Sequence, residues 1–206
     1  MARRSDPDEQ TARISEALWD VLATNGPQGL TLRAVAERAG CTTGLVLHRF
    51  PDKRALLLHA RDLLHARTAE QTEAVETAAA SPTAAVRAVL AQALSLTAST
   101  QQEARVWLGY LAASLGDDDL AERHRIGNTV FVERMHRLIG AARPDWDDAH
   151  VSTTAMALLA LVEGFNVLGT ADLVRYSPAV QMAALDRALE AFGLAVDGGD
   201  TVIAAS

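Results

Sequence analysis

Apolar residues recur along this chain with the period of a helix. Leu32, Val35, Ala36 and Ala39 fall at i, i+3, i+4 and i+7, one buried face of a short helix. Thr31 stands where a side-chain oxygen can accept an orphan backbone N–H at the helix start. Gly40 follows the last periodic residue, where a left-handed backbone ends a helix at little steric cost. Beyond that turn Cys41, Val46 and Phe50 share one face of a second short helix, leaving Thr42, Thr43, Gly44, Leu45, Leu47 and His48 on the other. Upstream, Ile14, Ala17, Leu18, Val21 and Leu22 predict a helix closed by Gly26-Pro27-Gln28-Gly29. Downstream, Pro51-Asp52-Lys53 opens a fourth helix, with Asp52 as its cap and Leu56, Leu57, Ala60, Leu63 and Leu64 as its apolar face.

The remaining chain shows five more helices set apart by start signals. Ser81-Pro82 and Ser177-Pro178 each offer a capping hydroxyl followed by proline at the first helical position. Asp117-Asp118-Asp119 and Pro144-Asp145-Trp146-Asp147-Asp148 place acids where the helix dipole favours negative charge. Val86, Val89, Leu90, Ala93 and Leu94 line the fifth helix, and Ala104, Trp107, Leu108 and Leu111 the sixth. The seventh runs from about Leu120 to Ala142, with Ile126, Val130, Phe131, Met135 and Leu138 expected inward. The eighth, about Trp146 to Gly169, is apolar around most of its circumference and must be covered on every side, by its own chain or by a partner. The ninth carries Val180, Ala184, Leu185, Ala188, Leu189 and Phe192. The tail from Asp197 is expected to fray. With no strand-type alternation and few β-branched runs, the fold class is all-α.

The two short helices carry the most chemistry. A helix whose outer face is small, hydroxylated and glycine-bearing can approach another polymer closely, which suits a DNA groove. An ordinary helical hairpin has the same spacing, but outward Leu45 and Leu47 beside two threonines fit it badly. Thr42 and Thr43 can hydrogen-bond base edges or phosphate, Leu45 and Leu47 can touch thymine methyls, and Gly44 permits the approach. Arg33 can donate to guanine or phosphate, Thr31 and Lys53 can hold the backbone, and His48 and Arg49 can reach phosphate. Arg3, Arg4 and Arg13 can reach a groove as a basic arm, but an inert disordered tail is the reading favoured for them.

These residues resemble the TetR family of bacterial transcriptional regulators. The matching elements are the first helix, Leu30-Thr31-x-Arg33-x-Val35-Ala36-x-x-Ala39-Gly40, the reading helix ending at Phe50, and Asp52-Lys53-x-x-Leu56-Leu57, together about residues 10 to 60. Further on, the likeness is a helix count and a looser similarity to the subgroup containing the choline-responsive repressor. Leu47-His48-Arg49-Phe50 departs from the family, many of whose members carry a tyrosine where Leu47 stands. The resemblance implies a three-helix head containing the helix-turn-helix (residues 1–52) and a ligand-binding and dimerising bundle of about six helices (residues 53–206). It implies a homodimer formed through the last two helices, a double-stranded operator, and repression relieved by a small-molecule effector. A regulator without an effector, controlled by a protein partner or constitutive, is the alternative.

On this reading the effector is expected near Trp107, Tyr110, Phe131, Met135, Glu163, Phe165 and Asn166, with His136 as a further polar anchor. The dimer contact is expected at Leu158, Leu161, Val162, Leu185, Leu189 and Phe192, although a central core helix in a monomer fits the eighth helix as well. Dimerisation gains weight because one short helix reads too few base edges for useful specificity.

Composition bounds the alternatives. The net charge is −7, but residues 1–65 hold nine Lys/Arg against eight Asp/Glu, and residues 66–206 ten against eighteen. Only the head is neutral enough to meet phosphate, and an acidic body disfavours non-specific sticking. The single cysteine, Cys41, allows no intramolecular disulfide, and no apolar run is long enough to span a bilayer, so a cytoplasmic protein free of membrane is expected. G-x-S-x-G, H-E-x-x-H and G-x-G-x-x-G are absent and the histidines are not paired at i, i+4, so no catalytic residue, metal site or cofactor is expected.

Overall fold

A computed structural model describes residues 7–195, and those residues form nine helices and no strand. They are α1 (Pro7–Gly29), α2 (Leu32–Ala39), α3 (Thr43–Arg49), α4 (Lys53–Thr77), α5 (Pro82–Ala93), α6 (Ala98–Ser114), α7 (Asp118–Ala142), α8 (Asp148–Ala171) and α9 (Pro178–Ala191). Arg3, Arg4 and the tail from Asp197 lie outside the described residues.

The helix boundaries follow the caps. The Ala34 N–H donates to Thr31 Oγ1 at 3.0 Å, Ala55 to Asp52 Oδ1 at 2.8 Å, Ala84 to Ser81 Oγ at 3.1 Å and His150 to Asp147 Oδ1 at 2.7 Å. Asp117 accepts from both Asp119 and Leu120 at the start of α7. Ser177 departs from expectation: it precedes α9, but its hydroxyl makes no capping bond. The breaker cluster bends α1 rather than ending it, since Gly26 takes φ 65° and Pro27 restarts the helix to Gly29.

The chain assorts into two compact units, through both of which α4 and α7 pass. One contains the described residues up to Arg67 together with Gln102–Arg125, and the other Thr68–Gln101 together with the residues from Ile126 onward. The unit with the head therefore includes the first half of α4, most of α6 and the start of α7, beyond the functional division expected after residue 52. Its core is built from Ile14, Leu18, Leu22, Leu30, Val35, Val46, Leu56, Leu57, Val106 and Tyr110. The second core gathers Val86, Val89 and Leu90 of α5, Met135 and Ile139 of α7, Leu158 and Val162 of α8, and Leu185 and Leu189 of α9. At about 1.5–3 kcal/mol for each fully buried aliphatic side chain, these clusters outweigh any exposed ion pair.

α7 corrects one expectation. Ile126 and Val130 are 58% and 64% exposed, while Met135, Leu138 and Ile139 are buried. Hydrophobic periodicity read across the whole helix averaged over a side chain stripe that turns outward in its first half. α8 has the length and mean hydropathy, 1.6, of a membrane span. It nevertheless buries Val151, Thr154, Ala155, Leu158, Val162, Asn166 and Gly169.

Gly40 takes φ 62°, ψ 39°, and its N–H and that of Cys41 close the end of α2 on the Glu37 and Ala36 carbonyls. Gly40→Ala is expected to cost about 1–2 kcal/mol, because a Cβ is strained at positive φ. Urea unfolding of the purified variant checks this, and an unchanged midpoint would contradict the left-handed turn.

Candidate DNA-reading face and effector-binding residues

α3 has only seven residues, too few to hold a helix in water alone. Its position comes from outside. Val46 is fully buried, Phe50 closes the helix and packs against His59 at 5.0 Å between ring centroids, and Cys41 and Leu45 pack partly into the same core. Arg13 of α1 donates to the Ala39 carbonyl at 2.7 Å, tying the turn to the first helix. That bond commits Arg13 to the fold and removes it from the expected arm.

What remains outward on α3 is Thr43, Gly44, Leu47 (49% exposed) and His48, with Thr42 just before them. Leu45 is half-buried and divides its surface between core and exterior; Arg49 is also half-buried. The hydroxyls of Thr31 and Thr42 accept from Ala34 and Leu45, which leaves each O–H proton able to rotate toward an acceptor brought against the head. This face is uncharged and carries a methyl-bearing apolar residue between hydroxyls, which matches the mixed donor, acceptor and methyl pattern of a major groove.

The arginines of the head are largely engaged. Arg38 pairs with Asp20 at 2.8 Å, and Arg54 reaches Asp117 at 3.2 Å and also Asp119. Among the described residues, no carboxylate forms an ion pair with Arg33, His48 or Lys53, which are exposed at the start of α2, the end of α3 and the first turn of α4. Arg33 and Lys53 therefore keep their positive potential for phosphate, and the His48 ring can donate an N–H to it.

The residues expected to line an effector site fall into both units. In the first, Tyr110 is fully buried, and its hydroxyl donates to the Leu120 carbonyl at 2.7 Å. Burial pushes the pKa of this phenol up. Trp107 lies near-parallel to Tyr110 at 6.3 Å and tilts against His124 at 5.1 Å. Arg61, only 2% exposed, sets its guanidinium carbon 4.9 Å from the Trp107 ring and 5.5 Å from the Tyr110 ring. This aromatic pair already holds a cation belonging to the protein. In the second unit Met135 is fully buried, Phe131 and Glu163 are half-buried, Phe165 meets Tyr176 edge-on at 6.3 Å, and Asn166 is buried. His136 faces Asp148 at 2.9 Å rather than the interior.

Arg61, Gln181 and Ser95 are among the buried polar residues that escaped the periodicity. Arg61 lies four residues after Leu57 and three before Leu64, on the apolar stripe of α4, and Gln181 lies four before Leu185 on that of α9. A polar residue in register with an apolar stripe was the available signal. Ser95, beyond the end of α5, carried none.

Of the expected dimer residues, Leu158, Val162, Leu185 and Leu189 are taken up in the chain's own core; Leu161 is half-buried and Phe192 exposed. The outward stripe of α8 is instead Thr153, Met156, Ala160, Val167 and Ala171, with half-buried Gly164 between them. Spacings of three and four residues make this one uncharged seam, narrow enough at Ala160 and Gly164 for another helix to approach closely.

The amino-terminal region matches the model of bacterial regulatory proteins of the tetR family over residues 14–60, and the model of the BetI-type transcriptional repressor C-terminal region matches residues 82–193. The BetI regulator of Burkholderia mallei (strain NCTC 10229) is 30% identical over 160 residues, covering 77% of this chain and 80% of the relative. A transcriptional regulator from Rhodococcus sp. Rha1 superposes with TM-score 0.77 at 27% identity, covering 88% of this chain and 94% of that one. A regulator from Saccharomonospora viridis, solved in complex with choline, superposes with TM-score 0.82 at 18% identity over 89% of this chain and 96% of its own. The chain belongs to the TetR family: it is a DNA-binding helix-turn-helix transcriptional regulator and not an enzyme.

The first unit also has a pH signature. Burial lowers the pKa of His59, against the opposing pull of Asp62, and lowers that of His124, with Arg61 adding to the effect. Both imidazoles resist protonation when folded, so below the unfolded value of 6.5 the unfolded chain binds more protons. Stability is fully present above pH 6.5 and falls as the pH drops toward the depressed values. Thermal midpoints taken from pH 7.5 to 5 should decline, and the decline should flatten in His59→Gln; an unchanged slope would contradict the assignment.

Proposed function

We propose that the protein is a homodimeric repressor whose two heads bind the half-sites of a palindromic operator, and that a small-molecule effector held within residues 53–206 releases it. The observation that carries the DNA reading is the uncharged outer face of α3, with Thr43, Gly44 and Leu47 projecting from a helix fixed by Val46 and Phe50. Residues 1–52 read the DNA, with Thr31, Arg33, His48 and Arg49 of the head and Lys53 at the start of α4 holding phosphate and setting register. Two-fold pairing supports this, because it brings a second α3 to a half-site one or more helical turns away. The outward seam of α8 supports the pairing itself, since an exposed stripe free of charge is costly to leave in water. Cytoplasmic residence follows from an operator as target.

The choline complex of the Saccharomonospora regulator favours an effector, because it places a small ligand within the same fold. The reading without an effector draws on Arg61, which fills the Trp107–Tyr110 face with the protein's own cation.

Selection of bound fragments from genomic DNA would supply the operator. On that site, Thr43→Ala with Leu47→Ala should lower specific affinity by about 1–3 kcal/mol for each lost base contact while the fold is kept. Unchanged binding would exclude this reading face. For the dimer, Ala160→Arg places a charge on the exposed seam without touching the core and should give a monomer by analytical ultracentrifugation. A stable dimer in that variant would move the interface elsewhere.

A further inference from the structure

The second unit contains a small polar cluster inside its apolar core. Asn166 and Gly169 of α8, Ser95 just beyond α5, and Gln181 of α9 are all buried, Gln181 completely. Gly169 makes room for the cluster, since a Cβ there would stand 3.1 Å from Gln181 Nε2 and 3.3 Å from Ser95 Oγ.

The hydrogen bonds of this cluster can be followed atom by atom. Gln181 Nε2 has two protons; it donates to the Tyr176 carbonyl at 2.8 Å and to Ser95 Oγ at 3.2 Å. The one proton of Ser95 Oγ goes to Gln181 Oε1 at 3.3 Å. Asn166 Nδ2 donates to the Ala93 carbonyl at 2.9 Å. A carbonyl can only accept, so this bond fixes which end of the amide faces Ala93 and which end is left. What is left is Asn166 Oδ1, buried and without a hydrogen-bond partner in a residue only 8% exposed. The hydroxyl proton of Ser95 and both amide protons of Gln181 are already engaged. An unserved acceptor in such a place is unfavourable, so a donor has to come from outside these side chains.

We infer that Asn166 is the polar anchor of the effector site, and that its Oδ1 accepts from an O–H or N–H group of a small neutral or cationic ligand. Residues 66–206 hold ten Lys/Arg against eighteen Asp/Glu, half-buried Glu163 of α8 among them, a balance that disfavours an anionic ligand. Trp107 and Tyr110 do not compete for this role, because they already face Arg61. The inference rests on the effector reading above and specifies the group such an effector must present.

The test uses the full chain and a panel of small alcohols and amines, each matched with its O- or N-methylated counterpart that lacks the donor. Thermal shift and calorimetry without DNA measure binding; release of operator DNA is measured separately. Donor-bearing members should bind the wild type, their methylated partners should bind at least tenfold more weakly, and Asn166→Leu should remove that difference. Asn166→Ser serves if the leucine variant does not fold. Methylated partners that bind equally, shifts that survive Asn166→Leu, or a panel in which nothing binds, leaving water as the donor, would each overturn the inference. Asn166-dependent binding that leaves operator affinity unchanged would instead support the site and overturn the effector reading. Operator release that persists in Asn166→Leu would do the reverse.

Discussion

The reading face of this protein depends on the burial of Val46. A seven-residue helix has no stability of its own in water. α3 persists because Val46 is inserted among the residues of α1, α2 and α4 that form the first core, and because Phe50 seals the helix end against His59. The left-handed turn at Gly40 and the bond from Arg13 to Ala39 then set the angle at which α3 leaves α2. With the inward side so tied, the direction of Thr43 and Leu47 is a property of the core rather than of the helix. That rigidity is what a groove-reading surface needs, since each contact is worth little unless its geometry is prepared in advance.

The same economy governs charge. The head is close to neutral because nine Lys/Arg meet eight Asp/Glu over residues 1–65; Arg38 and Arg54 are tied to carboxylates and Arg13 to a carbonyl, while Arg33 and Lys53 stand exposed at the starts of α2 and α4. An evenly basic head would adhere to any phosphate polymer, whereas a few placed cations set register and leave discrimination to the uncharged face. The buried guanidinium of Arg61 shows the opposite use of a cation. It stacks on Trp107 and Tyr110 and links α4 to α6, while Arg123 pairs with Asp62 at 2.9 Å and Tyr110 bonds to Leu120. These contacts bind the first half of α4, α6 and the start of α7 into the unit that carries the reading helix.

Much of this was legible from residue order because it is local. A cap, a left-handed glycine and a stripe at i, i+3 and i+4 are satisfied within one turn or two, and Thr31, Gly40, Asp52, Ser81 and Asp147 behave as their neighbours dictate. Where local signals misled, a competing tertiary demand won. Ile126 and Val130 continue the stripe of α7 in sequence but face outward. Ser177 has the residues of a cap without its bond. The apolar circumference of α8 left open which side faces its own chain, and only the packing of Leu158 and Val162 against α5 and α9 separates that side from the stripe through Met156 and Ala160.

The amino-acid order by itself determined the all-helical class, the number and approximate ends of the helices, the short helix pair and its family, because each rests on spacing within a few residues. Tertiary structure alone decided which leucines are core, which arginines are bound, that Ser95 meets Gln181 and that Asn166 meets the Ala93 carbonyl. Those outcomes depend on residues far apart in sequence, as in the 86-residue separation of Ser95 and Gln181 and the 99-residue separation of Arg87 and Asp186. A contact of that kind exists only once several helices have packed, so no local pattern records it.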